Sequence, residues 1–370
     1  MTATHHNRWY GVNINASTNR IVALELPDNG LSLSIPSQYG LLSSLEVLNL
    51  SGGKSKSKSK QVSRKKRTPI SSQYGLLSSL EVIHLSGRNS KVSRKKRASP
   101  IPSQYGSIPS ELGQLTALTS LDVSSWYNSL RGTIPSEIGQ LTALNRLALQ
   151  YNNLDGSIPS ELGQLTELTE LDFGNNYSLT GTIPSELGQM TALNLLVLEE
   201  TDLTGTIPSE LGQLTALTEL VAYATSLSGT IPSELGQLAA LNFLVFGETD
   251  LTGTIPSELG QLTELTELNL EGTDLTGTIP SQLGLLTKLT RLYLCCSSLD
   301  GAIPSQLGQL TALNELDLGG NSLEGPAPPE VCALRELQGF YNNHLFLDSV
   351  NYCSSESSDP GMGANIFIGN

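Results

Sequence analysis

An isoleucine followed by proline returns at Ile108, Ile134, Ile158, Ile183, Ile207, Ile231, Ile255, Ile279 and Ile303, and from Ile183 onward every interval is 24 residues. Around it the sequence repeats as L-x-x-L-x-L-x-x-(N/T)-x-L-x-G-x-I-P-S-E-L-G-Q-L-T-x. A unit this short cannot bury its own leucines. Stacked on identical neighbours it can, so the period predicts a solenoid whose core grows in one dimension. The 370 residues therefore read as one elongated domain rather than two or three globular ones.

The segment Leu203-x-Gly205-x-Ile207-Pro208, repeated from coil to coil, resembles the mark of the plant-type leucine-rich repeat family. The resemblance covers residues 21 to 353. It implies a right-handed α/β-type leucine-rich-repeat solenoid with short parallel strands on the concave side. The convex side is expected to be irregular or 3-10, with little α-helix. By the same resemblance Trp9-Tyr10-Gly11-Val12 looks like the end of an N-terminal cap, although Asn13 and Ile14 stand where the family places a cysteine. Cys332 and Cys353, flanking the end of the array, resemble the cysteine pair that closes the C-terminal cap of secreted members, which implies a disulfide and oxidising surroundings.

These features divide the chain into a partial N-terminal cap (1–20) and irregular repeats (21–107) carrying basic insertions at 54–67 and 88–99. Regular repeats (108–328), a C-terminal cap (329–353) and a tail (354–370) follow. The insertions end in the same S-R-K-K-R and follow copies of Q-Y-G-L-L-S-S-L-E-V, which is the signature of local duplication with a tolerated loop. By composition they are also candidates for a nuclear-localisation or anionic-surface signal.

Charge divides along the same line. Residues 1–97 hold 16 Lys+Arg against 4 Asp+Glu, a balance of +12, while 98–370 hold 5 against 31, a balance of −26. An acidic repeat array repels a phosphate backbone, so nucleic acid is excluded as its expected partner. No apolar run of about 18 residues occurs, so no transmembrane segment is expected in this chain. No charged-then-apolar leader opens it either, and the expectation is a reading frame that begins downstream of the true start of an extracellular or cell-surface protein. A cytoplasmic or nuclear location is the alternative. The sequons Asn15-Ala-Ser17, Asn49-Leu-Ser51 and Asn176-Tyr-Ser178 bear on function only in a secreted protein.

Nothing in the sequence assembles a catalytic set. His5, His6, His84 and His344 are scattered, no serine or cysteine stands in a nucleophile elbow, and no phosphate-binding loop or paired C-x-x-C occurs. The adjacent Cys295 and Cys296 read as ordinary strand-end substitutions. No catalytic residue, metal site or cofactor is expected.

Strand side chains alternate inward and outward, and a fixed period stacks equivalent outward positions into columns. One column reads Asp122, Ala148, Asp172, Val197, Val221, Val245, Asn269, Tyr293, Asp317; its neighbour reads Ser120, Arg146, Glu170, Leu195, Glu219, Phe243, Glu267, Arg291, Glu315. Leu195, Val197, Val221, Phe243 and Val245, with Tyr223 from the next column, thus form an apolar patch. Glu170, Glu199, Glu200, Asp202, Glu248, Glu267 and Glu271 stand around it. An apolar centre with a polar rim is the anatomy of a binding surface. The candidate ligand-binding residues on the concave face are Leu195, Val197, Glu199, Glu219, Val221, Tyr223, Phe243, Val245, Glu267, Asn269, Arg291 and Tyr293. The expected ligand is a protein, peptide or glycan, with signalling expected to run through a co-receptor since no kinase segment follows the cap. A second regularity, T-G-T at residues 180–182, 204–206, 252–254 and 276–278 with S-G-T at 228–230, opens an ice-binding alternative. The consensus asparagine stands at Asn128, Asn152 and Asn321 and gives way to Thr201, Thr225, Thr249, Thr273 and Ser297 in the middle coils, where turn satisfaction is expected to weaken.

Overall fold

The computed structural model describes residues 107–124 and 130–337, together with separate strands at Val12–Asn15, Arg20–Glu25, Val47–Asn49, Val82–His84 and His344–Phe346. The basic insertions at 54–67 and 88–99, the Trp9-Tyr10-Gly11 cap motif, Asn128, Cys353 and the tail 354–370 lie outside the described residues. The chain falls into two compact units, Met1–Gly181 and Thr182–Asn370.

In the first unit Val12–Asn15 runs antiparallel to Arg20–Glu25, and every later strand of that sheet is parallel to its neighbour. Leu24 pairs with Leu48, Leu48 with Ile83, Ile83 with Leu121, Leu121 with Leu147 and Leu147 with Leu171. The register therefore passes the long intervals of the irregular repeats without a slip. A slip among the later strands would turn Leu121, Leu147 or Leu171, each 0 % exposed, out to solvent, so burial of one face enforces their pairing.

The second unit is the regular array. Its main sheet carries Leu195–Val197, Glu219–Val221, Phe243–Val245, Glu267–Asn269, Arg291–Tyr293 and Glu315–Asp317, all parallel and in register, and His344–Phe346 pairs with the last of these. The central leucines Leu196, Leu220, Leu244, Leu268 and Leu292 are at most 1 % exposed and make one continuous ladder. On the opposite side a 3-10 helix recurs, at Ser185–Gln189, Ser209–Gln213, Ser233–Gln237, Ser257–Gln261, Ser281–Leu285 and Ser305–Gln309. Proline precedes each one; Pro208, at φ −65° and ψ 133°, hands an extended backbone to the helix and has no N–H to leave unpaired. The only α-helix, among the described residues, is Pro329–Leu337.

Two glycines explain why the repeat tolerates so little drift. A Cβ on Gly212 would stand 2.5 Å from the Glu234 carbonyl of the next coil, so the coils approach through that position. Gly205 has φ +79°, a left-handed backbone that a side chain disfavours, and the Thr182 methyl lies over it, 2.8 Å from where a Cβ would stand.

The consensus asparagines tie coils together. Asn152 Nδ2 donates to the carbonyls of Val123 at 3.1 Å and Leu149 at 2.9 Å, and its Oδ1 accepts from the Leu130 N–H at 3.2 Å. Asn321 makes the same set with Leu294, Leu318 and Leu299. Asn176, absent from the asparagines assigned to this role by sequence, also makes it, donating to Leu149 and Phe173 and accepting from Leu154. A 25-residue interval between Ile158 and Ile183 moves Asn176 out of the simple period. Being 0 % exposed, it is no acceptor for a glycan. In the middle coils the hydroxyls of Thr201, Thr225 and Thr249 donate to Leu198, Ala222 and Phe246, each within its own coil. Those coils thus lose the side-chain bridge to the preceding one.

Candidate functional site

Register places the outward columns of the second unit where the period predicts. Leu195 pairs with Glu219, Glu219 with Phe243, Phe243 with Glu267, and Glu267 with Arg291. Val197, Val221, Val245, Asn269 and Tyr293 follow one another in the same way. The sheet continues past the strand ends, since Glu200 N donates to the Tyr223 carbonyl and Ala224 N to that of Gly247. Glu199, Tyr223, Gly247 and Glu271 therefore belong to a third column.

The patch is half-buried rather than fully exposed. Leu195, Val197, Val221, Tyr223, Phe243 and Val245 all have intermediate burial, because each outward side chain leans on its neighbours about 4.8 Å away. Asn269 differs: it is only 8 % exposed, and its side chain folds back on its own strand end. Its Oδ1 accepts from the Glu271 N–H at 3.0 Å and its Nδ2 donates to Glu271 Oε1 at 3.3 Å.

That observation separates the members of the valine column by what they do. Asp122, Asp172 and Asp317 accept from the N–H two residues on, of Ser124, Gly174 and Gly319, just as Asn269 accepts from Glu271. A short polar side chain here closes the strand end by a local turn. Val197, Val221 and Val245 give up that bond in three successive coils and present aliphatic surface instead.

Past the patch the charges compensate one another. Arg291 Nε donates to Glu267 Oε2 at 2.6 Å, with a guanidinium nitrogen also paired to that carboxylate; this hydrogen bond, ahead of the opposing effect of burial, holds the guanidinium above its ordinary pKa. Tyr293 donates to Glu315, and burial followed by that bond pushes its phenol well up. Of the predicted ligand residues, Glu267, Asn269, Arg291 and Tyr293 are thus engaged within the protein. Opposite charges exactly one period apart were the sequence signal for the Glu267–Arg291 pair, since directly opposed residues on a sheet attract. In the first unit Glu170 is paired with Arg146 in the same manner.

Around Tyr223 the electrostatics are one-sided. Burial first, then the carboxylates of Glu248, Glu271 and Glu200, raise its phenol above the ordinary value. Gly247 has no side chain, and Asn269 Oδ1 and Glu271 Cγ lie 2.8 and 3.0 Å from where its Cβ would stand, so Glu271 leans across the space beside Tyr223. Glu200 and Glu248 hold left-handed backbone at φ +54° and +55°.

Elsewhere the chemistry is sparse. Cys295 is buried, and burial and Asp317 push its thiol up, which removes its nucleophilic form; Cys296 is exposed at φ +60°. Among the described residues no group of His, Cys, Asp and Glu has the arrangement to hold a metal ion. The first hydroxyls of the T-G-T rows act in the fold: Thr180, Ser228 and Thr276 donate to the carbonyls of Gly156, Gly205 and Gly253 in the preceding coil. The second threonines, Thr206, Thr230 and Thr254, are exposed, with methyls over the glycines of the following coil.

Short parallel strands, buried leucine ladders and a 3-10 segment in each coil of the described array from residue 107 define a leucine-rich-repeat solenoid, and the leucine-rich repeat family model matches residues 143–165, 264–286 and 312–334. The most informative likenesses are to solved plant receptors. The plant peptide hormone receptor RGFR1 in complex with RGF2 is 29% identical, with a TM-score of 0.70 over 92% of this chain and 53% of that one. A TDR receptor is likewise 29% identical, with a TM-score of 0.67 over 88% and 56%. The Arabidopsis receptor kinase HAESA, solved with the peptide hormone IDA and the co-receptor SERK1, is 25% identical, with a TM-score of 0.60 over 92% and 65%. The chain thus carries leucine-rich repeats and folds as the solenoid they build, and it is similar to plant receptors of that fold. It spans about half the length of the first two receptors. No curated protein matches it.

Proposed function

We propose that the chain is a non-enzymatic recognition module that works outside the cell and binds an extended peptide, or an extended segment of a protein, on the main-sheet face from Leu195 to Val245. The observation that carries this reading is the run Val197, Val221 and Val245. Three coils forgo a turn-closing polar residue that Asp172, Asn269 and Asp317 supply elsewhere, and aliphatic side chains on a solvent-facing sheet stabilise the fold less than they serve a partner. The similar receptors support the same ligand class, because RGFR1 and HAESA were solved with peptide hormones. No helix among the described residues is long and apolar enough to cross a membrane. The bridge between Cys332 and Cys353 belongs to this reading, as does the division into caps and repeats.

The test is retention of the folded chain on an array of synthetic peptides, read for the parent and three variants. Val221→Glu with Val245→Glu should abolish retention and leave the circular dichroism unchanged, since both side chains face away from the leucine ladder. Changes at Thr206, Thr230 and Thr254 or neutralisation of residues 64–67 should leave retention intact. Loss confined to the threonine set, together with ice shaping by the parent, would install the ice-binding reading. Loss confined to the basic set would install the remaining alternative, an intracellular or nuclear scaffold targeted by the basic tracts at 54–67 and 88–99.

A further inference from the structure

Within the second unit, the face around the valine column has a net charge that its own side chains do not cancel. Its basic residues on this side are committed: Arg291 to Glu267, and Lys288 to Glu264. Among the described residues neither Lys nor Arg pairs with Glu200, Glu219, Glu248 or Glu271. The donors that reach Glu271, Asn269 Nδ2 and Cys295 Sγ, are neutral.

Register sets three of these carboxylates in the two columns that meet at a single aromatic ring. Tyr223 occupies the third column, and the next coil offers only Gly247 there. Because Gly247 has no Cβ, the side chain of Glu271 leans into the space from two coils away. Glu200 and Glu248 stand in the adjoining column, one residue past Glu199 and Gly247, and so flank the ring from the side. A half-buried tyrosine among carboxylates is matched by a cation that lays its charge over the ring and its aliphatic stem along adjacent apolar surface. Val221 lies in the neighbouring column and supplies that surface.

We propose that the occupant of this face is an extended peptide that seats a lysine or arginine side chain over Tyr223, between Glu200, Glu248 and Glu271, with its aliphatic neighbours on Val221 and Val245. The inference rests on the peptide-binding reading and names the chemical class that the face selects. Extended backbone sends alternate side chains to the sheet, so one basic and one aliphatic residue two positions apart reach the ring and the valine column together. An acidic peptide, or an anionic polymer, meets like charge along the rim and is rejected.

The peptide array tests this with matched pairs in which arginine is replaced by citrulline, its neutral isostere. The parent should prefer the arginine member by about tenfold, a preference that weakens with added salt. Tyr223→Leu and, separately, Glu248→Gln should bring the ratio of arginine to citrulline binding most of the way to one. Equal binding of arginine and citrulline peptides by the parent, with Val221→Glu still abolishing both, would overturn the cation seat and spare the peptide-binding reading. Retention of peptides by Val221→Glu at the parent level, or no peptide retained by the folded parent, would remove that reading and the cation seat with it.

Discussion

Two stretches of one sheet face in the second unit share a backbone and a register but differ in how their outward side chains are used. From Glu267 to Asp317 the column residues complete one another: Asn269 and Asp317 close their own strand ends, Arg291 neutralises Glu267, and Tyr293 donates to Glu315. From Leu195 to Val245 the equivalent positions are leucine, phenylalanine and valine, with Glu219 between Leu195 and Phe243, and among the described residues neither Lys nor Arg pairs with Glu200, Glu219, Glu248 or Glu271. Folding alone accounts for the first stretch. The second leaves surface and charge that folding does not use, and the contrast isolates a docking face without appeal to any single residue.

The comparison breaks most severely if the two faces of a single strand are confused. Leu220, 1 % exposed, and Val221 are chain neighbours that point to opposite sides of the sheet. Leu220→Ala should cost about 2–5 kcal/mol and melt the array in thermal unfolding followed by circular dichroism. Val221→Ser should cost less than about 1 kcal/mol in the same experiment.

Converting one stretch into the other sharpens the contrast. Val245→Asn places an amide two residues before Gly247, the relation in which Asp172 closes on Gly174 and Asp317 on Gly319. Stability should stay within about 0.5 kcal/mol of the parent, while peptide retention falls by about tenfold or more. A substitution that is neutral for the fold and costly for binding is the mark of a functional position.

Smaller effects probe the tie between coils. Thr225→Asn should recover bonds to the Leu203 N–H and the Leu198 carbonyl, by analogy with Asn176 and its partners at the same offsets, and stabilise the middle coils by about 1 kcal/mol in denaturant titrations. Least of all, Arg291→Gln should cost between about 0 and 1 kcal/mol, as for a solvent-accessible ion pair, and leave peptide retention as it was.

Most of the fold was legible in the sequence because the period writes the same physical constraint many times. Leu196, Leu220 and Leu244 fall on one ladder, and the order of the outward columns follows by counting. The role of Asn176 was hidden by a single extra residue in its coil, and it surfaced only once hydrogen bonds were in view. For the site, position was readable and engagement was not. The sequence puts Asn269 and Val245 in equivalent places; only the backbone shows that the amide turns back to close a strand end while the valine cannot. Likewise the lean of Glu271 past Gly247 depends on the space that a missing side chain leaves, which is a property of packing between coils.

The most direct test of the docking face is a methyl-resolved NMR titration of the valine-labelled chain with a peptide retained by the array. The account predicts that the resonances of Val197, Val221 and Val245 shift together and saturate at one peptide concentration, while core valines such as Val123 and Val331 stay in place. Saturating binding that leaves those three methyls unmoved would contradict it.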